Sequence, residues 1–357
     1  MKRMSHRSSD IVRLGVATGA AATGLAIAGT AVGAALIAKA LLRGSRRYHV
    51  RDKSVLITGG SRGLGLVLAR EFAKRGARVA VCARSAAELE RAKSNLWSLG
   101  YPLITAVCDV TDREQVQKTI ESVANQLGPV DILVNNAGTL AVGPMDTMTL
   151  EDYRESLDVH FWAPLYTMLA VLPEMRRRRE GRIVNISSIG GKISVPHLLP
   201  YSAGKFALAG LSEGMRAEVA KDNVLVTTVY PGLMRTGSPR NADFKGKHRS
   251  EYAWFSVSDA LPIFSISAER AARQTVDACE RGTARLVLSL PAKLGIKLHE
   301  IFPDFSMAAL AMAQKWLPEP GGIGTERAKG RESHSFISRS WLTVLDERAA
   351  QRNNQIA

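Results

Sequence analysis

From Arg51 onward, short apolar runs alternate with longer stretches whose apolar positions recur at helical spacing. Residues 54–60, SVLITGG, are a β-branched run that breaks into glycines. Residues 64–76, LGLVLAREFAKRG, then take up helical spacing and stop at Gly76. The runs ARVAVCAR (77–84) and LITAVCDV (103–110) repeat the strand signal, each followed by a polar helical stretch, and TARLVLSL (283–290) reads as the last strand. This alternation predicts an α/β fold, a doubly wound parallel sheet of Rossmann type, over residues 51–290.

Two segments break the rhythm. Residues 14–38 contain 25 positions without a charge. At about 1.5 Å per residue, a helix of that length crosses a hydrocarbon core about 30 Å thick. The run is rich in Ala and Gly, with G-x-x-x-G pairs at Gly15/Gly19 and Gly29/Gly33 that permit close helix contact in a membrane. It predicts an N-terminal transmembrane helix, with residues 1–50 as anchor and basic flank. A cleaved signal peptide, which has a shorter apolar run, and an Ala/Gly linker are the competing readings. Residues 291–318 carry the apolar content of a buried or membrane-facing helix pair, too interrupted to span. They open a C-terminal helical extension, residues 291–357, whose charged, Gly-rich part from Glu319 reads as a mobile tail.

Composition changes this picture in one respect. The net charge of +15 raises nucleic-acid binding. More than half of the excess, however, sits in residues 1–53, bracketing the apolar run. Lys39, Arg43, Arg46, Arg47, Arg51 and Lys53 follow that run, against Lys2, Arg3, Arg7 and Arg13 before it. Charge so placed is membrane topology, with the larger cluster and the following domain facing the cytoplasm in a single-pass arrangement. No nucleic-acid partner is expected. The arginines of MRRRREG (175–181) read as a solvated helix end. Three scattered cysteines and isolated histidines offer neither a disulfide framework nor a metal site.

Candidate chemistry begins at the first strand-to-helix turn, TGGSRGLG (58–65). Glycines there let the backbone approach a pyrophosphate held at the helix N-terminus. The next strand ends in Ala83 and Arg84, where an NAD site would carry an acid. Together with Arg62 in the turn, Arg84 suits the 2′-phosphate of NADP(H), unless both are solvated surface arginines. Further on, Tyr201 and Lys205 stand four apart, on one face of a helix. A lysine beside a phenol lowers its pKa from about 10 toward the working range of an acid–base catalyst.

With these features the chain resembles the short-chain dehydrogenase/reductase family of Tyr-x-x-x-Lys type, with matches spread from Lys53 to about Pro239. Thr58, Gly59, Gly63 and Gly65 fit its cofactor turn, which also contains Ser61 and Arg62. Asp109 fits the position that contacts adenine. Asn136 lies in NNAG (135–138), the motif that steadies the central sheet. Ser188 follows IVNIS, thirteen residues before Tyr201, and Pro231, Gly232 and Thr236 fit the loop over the nicotinamide. The resemblance implies that Tyr201 donates a proton to a carbonyl oxygen as NADPH delivers hydride. Ser188 would hold that oxygen, and Lys205 would also bind the nicotinamide ribose. It implies, too, a homo-oligomer, formed in many relatives through the helix that carries the tyrosine. At the family's relay asparagine this chain has His160. The imidazole either hydrogen-bonds water or titrates in the relay, or it is a tolerated replacement at a position that acts through its backbone; a third possibility is a weakened enzyme.

The expected function is therefore an NADP(H)-dependent oxidoreductase that interconverts a carbonyl and an alcohol on a hydrophobic, lipid-like small molecule at a membrane. The aromatic stretch EYAWFSVSDALPIF (251–264) falls where the substrate loop is built, and suits a greasy substrate or a lid packed on the core. A catalytically impaired NADP(H)-binding scaffold or sensor is the alternative.

Overall fold

The computed structural model describes residues 47–260, 265–334 and 344–356. The chain divides into two compact units, Met1–Tyr48 and His49–Ala357, and everything below concerns the second. The expected span at residues 14–38 lies outside the described residues. Among those described, no helix is long and apolar enough to cross a membrane.

Seven parallel strands form the central sheet: β1 (Ser54–Thr58), β2 (Arg78–Ala83), β3 (Leu103–Val107), β4 (Ile132–Asn135), β5 (Gly181–Ile186), β6 (Val224–Tyr230) and β7 (Arg285–Val287). Their order across the sheet is β7-β6-β5-β4-β1-β2-β3. Strands β1, β4 and β5 are buried along their whole length. That is why their sequences are continuous apolar runs and do not alternate. Register is direct, with Ser54 opposite Arg78, Val55 opposite Ile132, and Asn135 opposite Asn185. The order reverses between β1 and β4, and the crevice beyond the C-terminal ends of these two strands is where such sheets bind ligands.

The helices that frame this crevice are α1 (Gly63–Lys74), α2 (Ala86–Ser98), α3 (Arg113–Leu127), α4 (Leu150–Leu157), α5 (Ala163–Arg178) and α6 (Leu199–Val219). Ser85 caps α2 by accepting from Glu88 N, and Asp112 caps α3 by accepting from Glu114 N and Gln115 N. Helix α1, by contrast, starts at Arg62 without a side-chain cap. Its orphan N–H groups are left for another acceptor.

Between α4 and α5 the chain makes a π-turn over Asp158–Trp162, with Ala163 N bonded to Asp158 O. Pro164 explains it. Proline has no N–H to give the carbonyl of His160, four residues back, so the regular ladder breaks there.

After β6 come α7 (His248–Ala260), α8 (Ala268–Arg281), α9 (Leu290–Ile301), α10 (Pro303–Gln314) and, near the end of the chain, α11 (Val344–Arg352). Helix α7 buries Tyr252 and Phe255 in a small cluster with Val142, Leu198 and Phe244, against which Tyr201 also packs. The helix pair expected over 291–318 is present, but it is not buried. α10 has no buried residue, and α9 buries only Ala292 and Ile296. Leu294, Phe305 (64% exposed) and Trp316 (86% exposed) face outward.

The mobile tail expected from Glu319 is not what residues 327–334 form. Ala328–Lys329 pair antiparallel with Asp243–Phe244, which in turn pair parallel with Ala141–Val142. Ion pairs of its own charged residues fix this strand in place. Arg327 bridges Asp152 and Glu155, and Lys329 pairs with Asp243.

Candidate active site

The glycine-rich turn closes through contacts that exclude side chains. Gly59 and Gly63 have φ of +62° and +56°, and a Cβ on Gly65 would lie 2.2 Å from Gly59 O and 2.5 Å from Asn136 Nδ2. Asn136 Nδ2 donates to Thr58 O (3.1 Å) and Gly59 O (3.0 Å), while Thr58 Oγ1 accepts from the N–H groups of Asn136 (3.0 Å) and Ala137 (3.1 Å). Thr58 and Asn136, expected at the cofactor, thus spend these bonds on each other and tie the end of β1 to the end of β4. Asn135 extends the brace. Thr167 Oγ1 donates to it at 2.7 Å, it donates to Asn185 Oδ1 at 2.9 Å, and Asn185 donates to Ser212 Oγ at 2.7 Å. Buried and fully connected, such a chain fixes β4 and β5 between α5 and α6.

At the adenosine end the structure corrects the reading of two arginines and no acid. Arg84 is exposed, but Arg62 pairs with Glu88 (2.7 Å), and Ser61 Oγ donates to the same carboxylate (2.9 Å). Glu88 lies one helical turn past the strand end, outside the position where an acid is sought in sequence. Asp109 accepts from Thr111 N and Oγ1 at 3.0 and 2.8 Å, forming a turn at the end of β3.

Ser188, Tyr201 and Lys205 converge across the crevice. Ser188 follows β5 and accepts from Gly190 N at 3.0 Å. Tyr201 is in the first turn of α6, with Lys205 one turn on, its Nζ 5.6 Å from the centre of the phenol ring. Two glycines allow this approach. A Cβ at Gly190 would lie 3.2 Å from Tyr201 Cε1 and 3.4 Å from Ser188 Oγ, and one at Gly191 would lie 2.6 Å from Lys205 O. Lys205 is buried and donates to Ile186 O at 2.8 Å. Burial lowers its pKa to about 7. The phenol moves the other way. Burial raises it, and the Ser188 hydroxyl, hydrogen-bonded to it, offsets this only in part. The expected lowering of Tyr201 by a fully charged lysine is therefore not found, because desolvation weakens the lysine's charge and penalises the phenolate together.

His160 is buried in the π-turn, its ring edge-on to Tyr201 with centroids 5.3 Å apart. Nδ1 lies 3.1 Å from Ser156 Oγ, and Nε2 accepts from Thr139 N at 3.3 Å. Burial, then the charge of Lys205, hold the imidazole well below its ordinary pKa. That direction runs against titration near neutrality, one of the roles open to this residue. The fourth residue of the Y-S-A-G-K turn has a structural reason here: a Cβ at Gly204 would lie 2.9 Å from His160 Nδ1 and 2.7 Å from Ser156 Oγ. A Cβ at Gly138 would touch His160 Nε2 (3.2 Å) and lie 3.8 Å from Lys205 Nζ, so both nitrogens border one small space.

The remaining expected residues line the opposite wall. Pro231 O accepts from Ile189 N (2.7 Å), just after Ser188. Gly232 faces Ala292 of α9, and Thr236 is buried, accepting from Ser238 N at 3.2 Å. Helix α10 is bonded to this wall by Gln314, whose amide lies 3.0 Å from Nε2 of buried His197, itself 2.8 Å from Glu251.

The cradle fits a dinucleotide: its glycines exclude every Cβ, and the N–H of Gly63 already holds an oxygen, the carbonyl of Asn353, at 2.8 Å. That carbonyl stands where a phosphate oxygen would accept.

The family described as short chain dehydrogenase matches residues 53–245. Among curated proteins, Dehydrogenase/reductase SDR family protein 7-like of Anopheles gambiae is 39% identical over 54% of this chain, which spans 63% of that relative's length. Putative oxidoreductase SadH of Mycobacterium tuberculosis is 34% identical over 68% of this chain and 87% of its own. Among solved structures, a gluconate 5-dehydrogenase from Burkholderia cenocepacia, in complex with NADP and tartrate, is similar with a TM-score of 0.61 and 26% identity. It covers 70% of this chain and 98% of its own.

Proposed function

The chain belongs to the short chain dehydrogenase family, and on that premise we propose that it is an NADP(H)-dependent oxidoreductase interconverting a carbonyl and an alcohol on a hydrophobic, lipid-like substrate. The observation that carries the reading is the convergence of Ser188, Tyr201 and Lys205 beside the glycine-rich cradle. NADPH supplies the hydride when bound. Tyr201 donates its phenolic proton to the carbonyl oxygen, which Ser188 Oγ holds, and Lys205 favours the phenolate that results. Burial keeps the phenol in its protonated, donor form, and the same group takes the proton back when the alcohol is oxidised. His160 Nε2 and Lys205 Nζ border one small space beside Gly138, through which a water would return the proton.

Support for NADP(H) is exposed Arg84 at the end of β2, with Arg62 nearby although paired to Glu88, and a structural neighbour that holds NADP. Support for a greasy substrate is the cluster of Tyr252, Phe255 and Phe244 beside Tyr201, and the outward apolar face of α9 and α10 above that wall. With the uncharged residues 14–38 and their basic flanks, that face favours work at a membrane, with the domain on the cytoplasmic side. Exposed Trp162 at the end of the π-turn, Leu169 on α5 and Phe206 on α6 favour a homo-oligomer through these helices.

The test is NADPH consumption by the detergent-solubilised protein with a panel of hydrophobic aldehydes and ketones, beside Tyr201→Phe, with NADPH binding followed by nicotinamide fluorescence. Turnover should fall about 10²–10⁴-fold in the variant while NADPH still binds. NADPH binding without turnover on any compound would favour the second reading, an NADP(H)-binding sensor, for which His160 in place of the family's asparagine is the motive.

A further inference from the structure

The C-terminal residues lie across the glycine-rich cradle. Helix α11 delivers them. Its Ala349 and Ala350 are buried, and Ala350 fits so closely against Gly237 that a Cβ there would lie 2.4 Å away. Beyond the helix, Asn354 turns the chain with φ of +57°, and residues 353–355 then meet both walls of the crevice.

On one wall, Gly63 N donates to Asn353 O at 2.8 Å, and Asn354 Nδ2 donates to Ser61 O (2.8 Å) and Glu88 O (3.0 Å). Arg91 Nε holds Asn354 Oδ1 at 2.8 Å, and Arg70 holds Asn353 Oδ1 at 3.1 Å and Arg352 O at 2.6 Å. On the other wall, Asn241 Nδ2 donates to Gln355 Oε1 at 2.6 Å. The Gln355 amide also sits over the turn itself, 2.7 Å from where a Cβ of Gly63 would be.

We infer that this segment is an autoinhibitory strap, whose seat on Gly63, Ser61 and Glu88 is the seat of the dinucleotide pyrophosphate and adenosine ribose. The inference rests on the reading that the cradle holds NADP(H). The Gly63 N–H serves one acceptor at a time, and Asn353 O and a phosphate oxygen compete for it at the uncapped first turn of α1. Because the strap also grips Asn241, it joins the cradle to the loop that carries Thr236. Cofactor entry therefore has to release both contacts together. A strap that closes the cradle in about nine of ten molecules weakens apparent cofactor affinity about tenfold.

Two readouts on the full-length protein test this. The first is NADPH affinity, by calorimetry, of the wild type and of the double variant Asn354→Ala/Gln355→Ala, which keeps α11 and its buried alanines intact. The second is the rate of tryptic cleavage after Arg352, with and without saturating NADPH. The strap predicts an affinity gain of about threefold to tenfold in the variant and faster cleavage of the wild type when NADPH is present. Equal or weaker binding by the variant, or protection of Arg352 by NADPH, overturns the strap and leaves the cofactor reading standing. Failure of both proteins to bind any nicotinamide dinucleotide overturns the two together.

Discussion

Ser156 Oγ stands 3.1 Å from His160 Nδ1 and donates its own proton to Pro200 O at 2.7 Å. A hydroxyl has one proton, so with that proton on Pro200 it accepts from the imidazole. Nδ1 therefore carries the hydrogen and Nε2, which accepts from Thr139 N, does not. The ring is a fixed neutral tautomer that couples α4 to the first turn of α6, the turn on which Tyr201 stands.

That state has a spectroscopic signature. The ¹⁵N shifts of His160 should report the neutral Nδ1–H form from pH 8 down to about 6, with burial and the charge of Lys205 keeping the proton off. Since the folded pKa is depressed, the unfolded chain binds the extra proton first, so stability present above about 6.5 is lost as pH falls. Ser156→Ala leaves a buried N–H unpaired and should cost about 1–3 kcal/mol, read as a lowered denaturant midpoint. A doubly protonated ring at pH 7 would contradict this picture.

Lys205 offers a trade between stability and chemistry. Its folded pKa of about 7 lies below the ordinary value of 10.5. Across that interval the unfolded chain holds more protons, so the lysine's penalty is largest near pH 7 and fades as pH rises toward 10.5. Lys205→Met should therefore abolish turnover while raising the melting temperature of the cofactor-free protein, and by more at pH 7 than at pH 9. Thermal melts at both values decide it. A variant less stable than wild type at pH 7 would show that the bond to Ile186 O outweighs the desolvation.

Glu88 should weaken selection for the 2′-phosphate. Its carboxylate occupies Arg62 and repels a phosphate brought to the same place. Glu88→Gln keeps the shape, frees the guanidinium, and should raise the preference for NADPH over NADH by up to about fivefold, the range of a charge contact near a surface. Dissociation constants for both cofactors measure it. An unchanged ratio would mean that Arg84 alone reads the phosphate.

The outward face of α9 and α10 can be separated from folding. Phe305 and Trp316 are exposed, so Phe305→Ser/Trp316→Ser should leave the melting temperature within about 1 °C, as surface changes usually do. If the face gathers lipid-like substrate, KM for a long-chain aldehyde should rise in the variant while KM for a short, water-soluble one stays put. Equal changes for both would detach this face from substrate.

The sequence by itself determined what depends on local pattern. Continuous apolar runs specified buried parallel strands, the glycines of residues 58–65 specified a turn that only glycine can make, and the four-residue step from Tyr201 to Lys205 put both on one helical face. Tertiary structure alone decided what depends on atoms far apart in the chain. The pKa values of Tyr201 and Lys205 come from desolvation, which no spacing reveals. The neutral form of His160 depends on Ser156, Pro200 and Thr139, brought together from three elements. Glu88 sits on Arg62 only because α2 folds back beside the turn. Residues 327–334 read as part of a mobile tail until Asp152, Glu155 and Asp243 supply the partners that order them. Asn353 comes to the N–H of Gly63 across nearly the whole domain, a contact that periodicity cannot register because it belongs to no repeating pattern.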